Sequence, residues 1–293
     1  MTASKHNAIN TGHYENFPVA SLVLPGRLRA PVRAIYAFAR SADDFADEGE
    51  HPADWRLARL AEYHAHLDAL ARGEDVDHPV FRQLAPHIRA FRLPMQPFHD
   101  LLTAFEQDCV KTRYAHFGEV MDYCRRSANP VGRLLLAVFG DDDPKHQAWS
   151  DGICSALQLI NFLQDIAIDW KKDRVYLPQD EMARFGIGER QIAEGRIDAL
   201  WQQFMKTQVE RARRMLQAGA PLGLALRGRL GLEMRLIVQG GARILEKIHA
   251  AQGDVFHRRP RLGLRDGLVI FGRAIDTRRG HARQPNIKHH WQQ

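Results

Sequence analysis

Residues 152–170, GICSALQLINFLQDIAIDW, carry charge only at Asp165 and Asp169. Leu157, Ile160, Leu163 and Ile168 cover one side at helical spacing, and Leu159, Phe162, Ile166 and Trp170 cover another. A helix apolar nearly all round has no face to give to water and belongs inside a helical assembly. Its polar residues Gln158, Asn161, Asp165 and Asp169 are not scattered. They follow i, i+3, i+7 and i+11, one line along the helix. A polar line on a buried helix has to face a cavity or a ligand of matching polarity.

A second acidic pair repeats the pattern. In APVRAIYAFARSADDFADE, Val32, Ile35, Tyr36 and Ala39 fall at i, i+3, i+4 and i+7, the stripe a helix turns toward a core. The stripe continues into Asp43, Ala46 and Asp47, which sets two carboxylates where leucines belong. One DxxxD spacing is common on solvated helix faces and carries little alone. Two copies, both on apolar helices, carry more. Buried unpaired carboxylates cost several kcal/mol each, so four of them call for cations. Oxygen donors without Cys or His select a hard ion, Mg²⁺ foremost. Mg²⁺ held by one or two carboxylates keeps positions that phosphate oxygens fill. Two facing Asp pairs therefore describe a diphosphate clamp, with the metal drawing charge from a leaving group.

Two other patterns point elsewhere. GDDDPKH follows an apolar helix and contains Pro144, so Asp141 to Asp143 are expected in a turn and a helix N-cap. A dinuclear carboxylate bundle would need Glu ligands and two ExxH motifs. Within an expected helix, only Glu246 to His249 has that spacing.

Helical periodicity recurs along the remaining chain. It predicts helices at 29–48, 53–72, 78–91, 95–111, 116–127, 130–139, 144–172, 195–218, 221–251 and 262–277, separated by Gly, Pro and Asp clusters of ordinary loop length. With 293 residues, 45% of them hydrophobic, the expectation is an all-α, single-domain protein over 1–277. About ten helices would surround a central apolar cavity, with a basic tail over 278–293. Cys109, Cys124 and Cys154 are far apart in sequence and read as free thiols of a reducing cytoplasm. The N-terminal MTASKHNAINTGHYEN lacks an apolar segment, so no signal peptide is expected, and no apolar run reaches a membrane span. The net charge of +6 is spread out. It suits anionic substrates, or peripheral contact with anionic lipid at the inner membrane surface, better than nucleic acid.

At LPGRLRAPVRAIYAFARSADDFADE, VMDYCRRSANPVG and LQLINFLQDIAIDWKKDRVYLP, in that order, the chain resembles the squalene/phytoene synthase family of all-α head-to-head prenyl synthases. The resemblance covers roughly residues 10–275 and implies the isoprenoid synthase fold. Carried over position by position, it makes Asp43, Asp47, Asp165 and Asp169 the Mg²⁺–diphosphate carboxylates. Gln158 and Asn161 would line the same pocket, with Tyr36 on the facing helix. Arg40 and Arg174 would meet diphosphate oxygens, a role that suits the bidentate guanidinium. His13 and Phe17 match the family's N-terminal HSxSF-like segment, and Tyr123 the tyrosine near the reacting carbons.

Departures from the family pattern narrow the implied reaction. Where many condensing members read NxxRDxxED, this chain has Gln164 for the Arg and Ile168 for the Glu. It reads YCRRSANPVG for YCxxVAGxVG, and HYENF lacks the serines of the N-terminal segment. Fewer diphosphate-binding groups suit one diphosphate better than two. These variations resemble the hydroxysqualene synthases of bacterial hopanoid pathways. Such enzymes ionise presqualene diphosphate, trap the rearranged cation with water, and depend on a presqualene diphosphate synthase for substrate. A condensing squalene or phytoene synthase stays open at this point, as does an inactive scaffold of the same fold, although the intact Asp pairs argue against the latter. Tyr123 would act on the cation through its ring or on the water through its hydroxyl.

Overall fold

The computed structural model describes residues 24–276. Among them the chain forms thirteen helices and no strand, with one isolated bridge between Arg113 and Val175. Seven come first: α1 (Gly26–Asp47), α2 (Ala53–Ala71), α3 (Pro79–Phe91), α4 (Gln96–Asp108), α5 (Phe117–Ser127), α6 (Asn129–Phe139) and α7 (Pro144–Lys171). The short α8 (Gln179–Arg184) and α9 (Glu189–Ala193) follow. Then come α10 (Ala199–Gly219), α11 (Leu222–Ala225), α12 (Gly228–Ala250) and α13 (Leu264–Ile275). His13, Phe17 and the tail over 278–293 lie outside the described residues. No described helix is long and apolar enough to cross a membrane.

Nine of these helices match the expected ones to within a few residues at each end. The others show what periodicity cannot see. The 179–193 stretch, expected as loop, holds α8 and α9, which are too short to display a helical stripe. The single helix expected over 221–251 is broken at Leu226 and Arg227. A Cβ at Gly231 would lie 2.1 Å from the Leu226 carbonyl oxygen, so the corner closes only because glycine is there. Asp143 caps α7 as expected, its side chain accepting from the Lys145 amide at 2.8 Å.

Two apolar cores lie side by side. The first joins α1 to α4, where Phe38 meets Phe81 and Phe98 edge-on at 5.7 and 5.2 Å. The second surrounds α7, whose Ile153, Ile160 and Leu163 pack with Trp201, Phe204, Leu216, Ile244 and Ile248 of α10 and α12. α4 and α6 contribute to both: Leu134 and Val138 face the first core and Leu136 the second. Edge-on aromatic pairs and alternating helix faces leave no slack between the cores, so the ends of α1, α4 and α7 are held in register. Those ends carry the carboxylates.

Candidate active site

Asp47 is the last residue of α1, Asp108 the last of α4, and Asp165 and Asp169 lie in the last two turns of α7. The C-terminal end of a helix carries partial negative charge from its unsatisfied carbonyls. Three helices thus bring carboxylates to the end of the dipole that least favours them, an arrangement that attracts cations.

The chain's own cations answer part of this demand. Arg174 donates Nη1 to Asp47 Oδ1 at 2.5 Å and Nη2 to the Asp108 carbonyl at 3.2 Å, and Lys172 Nζ reaches Asp47 Oδ2 at 2.8 Å. Both follow α7 directly, so they tie its end to α1 and α4. The segment is itself held: Arg113 donates to the Asp173 carbonyl at 2.5 Å and to Glu189, and the Val175 amide donates to the Thr112 carbonyl at 2.9 Å. Arg40 bridges Asp43 at 3.1 Å and Asp44 at 2.7 Å. Arg259, from the segment before α13, pairs with both oxygens of Asp165.

These cations do not neutralise the site. Loss of water, then the charge of Asp47, pushes Asp43 up to about 7. Asp169 is pushed up to about 8 by burial and then by Asp165, with Asp47 adding to it. Asp108 rises to about 6 by burial, against the pull of Arg174 and the Tyr123 hydrogen bond. Asp47 also loses hydration, but Arg174 and Lys172 outweigh that and hold it below the ordinary carboxylate range. Burial first, and neighbouring carboxylates second, make Asp43 and Asp169 costly to ionise unless a further cation is present.

A tyrosine cluster adjoins the carboxylates. Tyr123 on α5, almost wholly buried, donates its hydroxyl to Asp108 Oδ2 at 2.6 Å, and Tyr176 donates to Oδ1 at 3.1 Å. Tyr176 stacks on Phe162 of α7 at 3.9 Å with the rings nearly parallel, and Tyr114 stacks on Tyr176 at 5.4 Å and meets Tyr123 edge-on at 5.7 Å. Behind Tyr176 an apolar pocket with about 20 Å³ of free space is bounded by Phe117, Val120, Leu159 and Leu163, room for about one water.

The structure draws Arg40, Asp43, Asp47, Asp165, Asp169 and Arg174 into one electrostatic neighbourhood, with Tyr123 attached to it through Asp108. Gln158 and Asn161 are half-buried on the same line of α7 as Asp165 and Asp169, and Tyr36 is half-buried on α1 one turn before Arg40. The α1 stripe needs a correction. Its deepest face is Leu28, Val32, Ile35, Phe38, Ala42 and Ala46. Tyr36, Arg40, Asp43 and Asp47 form a neighbouring line, at the flank of the core rather than in it. If Gln158 and Asn161 face substrate, replacing each by Leu should reduce turnover more than it reduces the melting temperature. The reverse ratio would make them ordinary core polar groups.

Gln164 also reads differently. It is buried, and its amide donates to the Pro260 carbonyl at 2.7 Å. That contact fixes the residue next to Arg259, so a guanidinium still reaches Asp165 although position 164 has lost one. Arg259, Asp108, Tyr176 and Lys172 were not expected from the sequence. Asp108 had a signal: Leu101, Phe105 and Asp108 fall at i, i+4 and i+7, an apolar stripe running into a carboxylate as in α1.

The donors fit a hard divalent ion. They are carboxylate oxygens only, and burial followed by a neighbouring carboxylate raises the protonation points of Asp43 and Asp169. Among the described residues no three acidic or His/Cys side chains close on one point. An ion held here would therefore need further oxygens from a ligand such as phosphate.

The model of the squalene/phytoene synthase family matches residues 10–266. The hydroxysqualene synthase of Rhodopseudomonas palustris is 37% identical over 84% of each chain, and the phytoene synthase of Arthrospira platensis 28% identical over 86% of this chain and 85% of its own. The crystal structure of squalene synthase HpnC from Alicyclobacillus acidocaldarius superimposes with a TM-score of 0.76 at 36% identity, covering 82% of this chain and 90% of that one. The helical architecture is the isoprenoid synthase fold, and the chain belongs to the squalene/phytoene synthase family.

Proposed function

We propose that this chain is a hydroxysqualene synthase: it ionises presqualene diphosphate and captures the rearranged carbocation with water, releasing hydroxysqualene and diphosphate. The observation that carries this reading is the meeting of the carboxylate-bearing ends of α1, α4 and α7 beside the Tyr114–Tyr123–Phe162–Tyr176 cluster. The 37% and 35% identity to hydroxysqualene synthases supports the choice of reaction.

Asp43 and Asp47 on one side, and Asp165 and Asp169 on the other, would hold Mg²⁺. When bound, the metal supplies Lewis acidity that takes up charge on the departing diphosphate. Arg40 pairs with Asp43, Lys172 and Arg174 with Asp47, and Arg259 with Asp165. With metal bound there, they would be available to the diphosphate oxygens, Arg by paired donors. The Tyr114, Tyr123, Phe162 and Tyr176 rings adjoin the carboxylates, and their faces would stabilise positive charge developing on carbon. Cleavage leaves both electrons of the carbon–oxygen bond on diphosphate. Water then gives an electron pair to carbon and must lose one proton. Asp108, a buried carboxylate with Tyr123 and Tyr176 on its two oxygens, would accept it. No electrons are exchanged with a reductant. The substrate must come from an enzyme that joins two farnesyl diphosphates, which makes a presqualene diphosphate synthase the functional partner and squalene and hopanoid formation the setting.

The assay offers presqualene diphosphate or farnesyl diphosphate with Mg²⁺ and no NADPH. Consumption of the first and inertness of the second is the expected result. Rapid conversion of farnesyl diphosphate to presqualene diphosphate or phytoene-type products would assign condensation instead.

A further inference from the structure

Helix α13 is amphipathic, and its apolar face points outward. Leu264, Leu268, Phe271 and Ile275 fall at i, i+4, i+7 and i+11, one line along the helix. They are 97, 78, 51 and 54% exposed. Scattered exposed leucines are ordinary, whereas four in line on one helix are a surface with a use. The helix is not a loose end. Its opposite face buries Asp266, Ile270 and Ala274. Asp266 accepts from Arg243 at 2.8 Å and Lys247 at 2.5 Å and caps the Gly263 amide at 2.7 Å. Arg235 donates to the Ala274 carbonyl at 2.7 Å, and Arg273 pairs with Glu246 at 2.6 Å. α13 is therefore clamped to α12 with its apolar line turned to the outside.

The charge around that line is positive. Arg258, Arg261 and Arg265 are exposed before and beside it. The sequence that follows, residues 277–293, contains Arg278, Arg279, Arg283 and Lys288 and no Asp or Glu. Apolar side chains in line on one helix face, bordered by Arg and Lys, are the pattern of a helix that lies in the headgroup layer of a membrane. A protein partner would need no such excess of one sign.

We infer that α13 seats this protein on an anionic lipid surface, with Leu264, Leu268, Phe271 and Ile275 in the acyl boundary and the flanking arginines on the headgroups. The placement suits the site. Arg259, on Asp165, is five residues before Leu264, a span of at most about 18 Å of extended chain. Docking through α13 would hold that end of the molecule at the bilayer, where a prenyl diphosphate and its alcohol product partition. The inference rests on α13 and its charges. It stands whether the enzyme ionises or condenses.

The test is co-sedimentation of the full chain with vesicles of phosphatidylcholine alone or with about a third phosphatidylglycerol, at low and high salt. Leu268→Glu/Phe271→Glu and Arg265→Glu are compared, with turnover measured on detergent-dispersed substrate. Wild type should bind the anionic vesicles and release at high salt. The double variant should bind at least about tenfold more weakly, with an unchanged melting temperature and unchanged turnover in detergent. Arg265→Glu should lose mainly the preference for anionic lipid. Wild-type indifference to anionic vesicles would overturn the inference, as would equal binding by the double variant. A lowered melting temperature of that variant, or its dissociation from a wild-type dimer, would show the line covered by the protein itself and equally overturn it.

Discussion

Replacing Asp169 by Asn is expected to lower turnover by at least about a hundredfold and to raise the melting temperature of the metal-free protein at pH 8. Asp43→Asn should do the same to a smaller extent. Both carboxyls keep their protons in the fold at a pH where the unfolded chain has released them, Asp43 up to about 7 and Asp169 up to about 8. Folding therefore takes up protons at these two positions. Their stabilising effect is complete below the ordinary carboxylate value and is lost as pH rises through about 7 to 8. Asp47, held low by Arg174 and Lys172 against its own desolvation, runs the other way and loses its contribution only on acidification. Metal-free protein should thus melt lower at pH 8 than at pH 6. Mg²⁺ should raise the melting temperature more at pH 8, where it no longer competes with protons. In Asp169→Asn both effects should shrink. Thermal melts at the two pH values with and without Mg²⁺, alongside turnover, check this. A variant retaining more than about a tenth of the wild-type rate would not be a member of the clamp.

Asp108→Asn should cost about 10² to 10⁴ in kcat, the usual range for a positioned proton acceptor, and should change what is made. The amide keeps an oxygen for one phenol, and a tyrosine hydroxyl can turn to accept from the new NH₂, so both contacts of the carboxylate with Tyr123 and Tyr176 have substitutes. The ability to take the proton from water does not. Ionisation would continue while capture slows, so diphosphate release should exceed alcohol formation and hydrocarbon elimination products should accumulate. Tyr123→Phe should give a milder version, because Asp108 keeps Tyr176. A purely structural Asp108 would instead show a lowered melting temperature, slower turnover and an unchanged product ratio. Product analysis by gas chromatography against released diphosphate separates the two.

Much of the site was legible because it repeats along single helices. The polar line of α7 and the acidic line of α1 are local patterns, and local patterns survive in sequence. A stripe of small residues, Ala39, Ala42 and Ala46, marks the rotation of α1 poorly, so the sequence pattern puts Asp43 on the core line and the fold puts it beside that line. Asp108 was missed for want of a second copy, although its helix shows the same run of apolar residues into a carboxylate. Arg259 and Gln164 could not be read locally. Their contacts, to Asp165 and to the Pro260 carbonyl, join residues more than ninety positions apart, and a basic cluster such as FHRRPRL looks like solvated surface until the fold brings it in. The same segment leads into α13, whose stripe predicts one more helix but does not say which face is covered.

Ionisation followed by capture predicts the source of one oxygen. Presqualene diphosphate is incubated with the protein and Mg²⁺ in H₂¹⁸O without NADPH, and the alcohol and diphosphate are analysed by mass spectrometry. Cleavage of the carbon–oxygen bond leaves the original oxygen on diphosphate. Hydroxysqualene should therefore carry ¹⁸O, and the released diphosphate should retain only the oxygens it brought. Unlabelled alcohol with label in the diphosphate would mean that water attacks phosphorus, and would contradict the carbocation account.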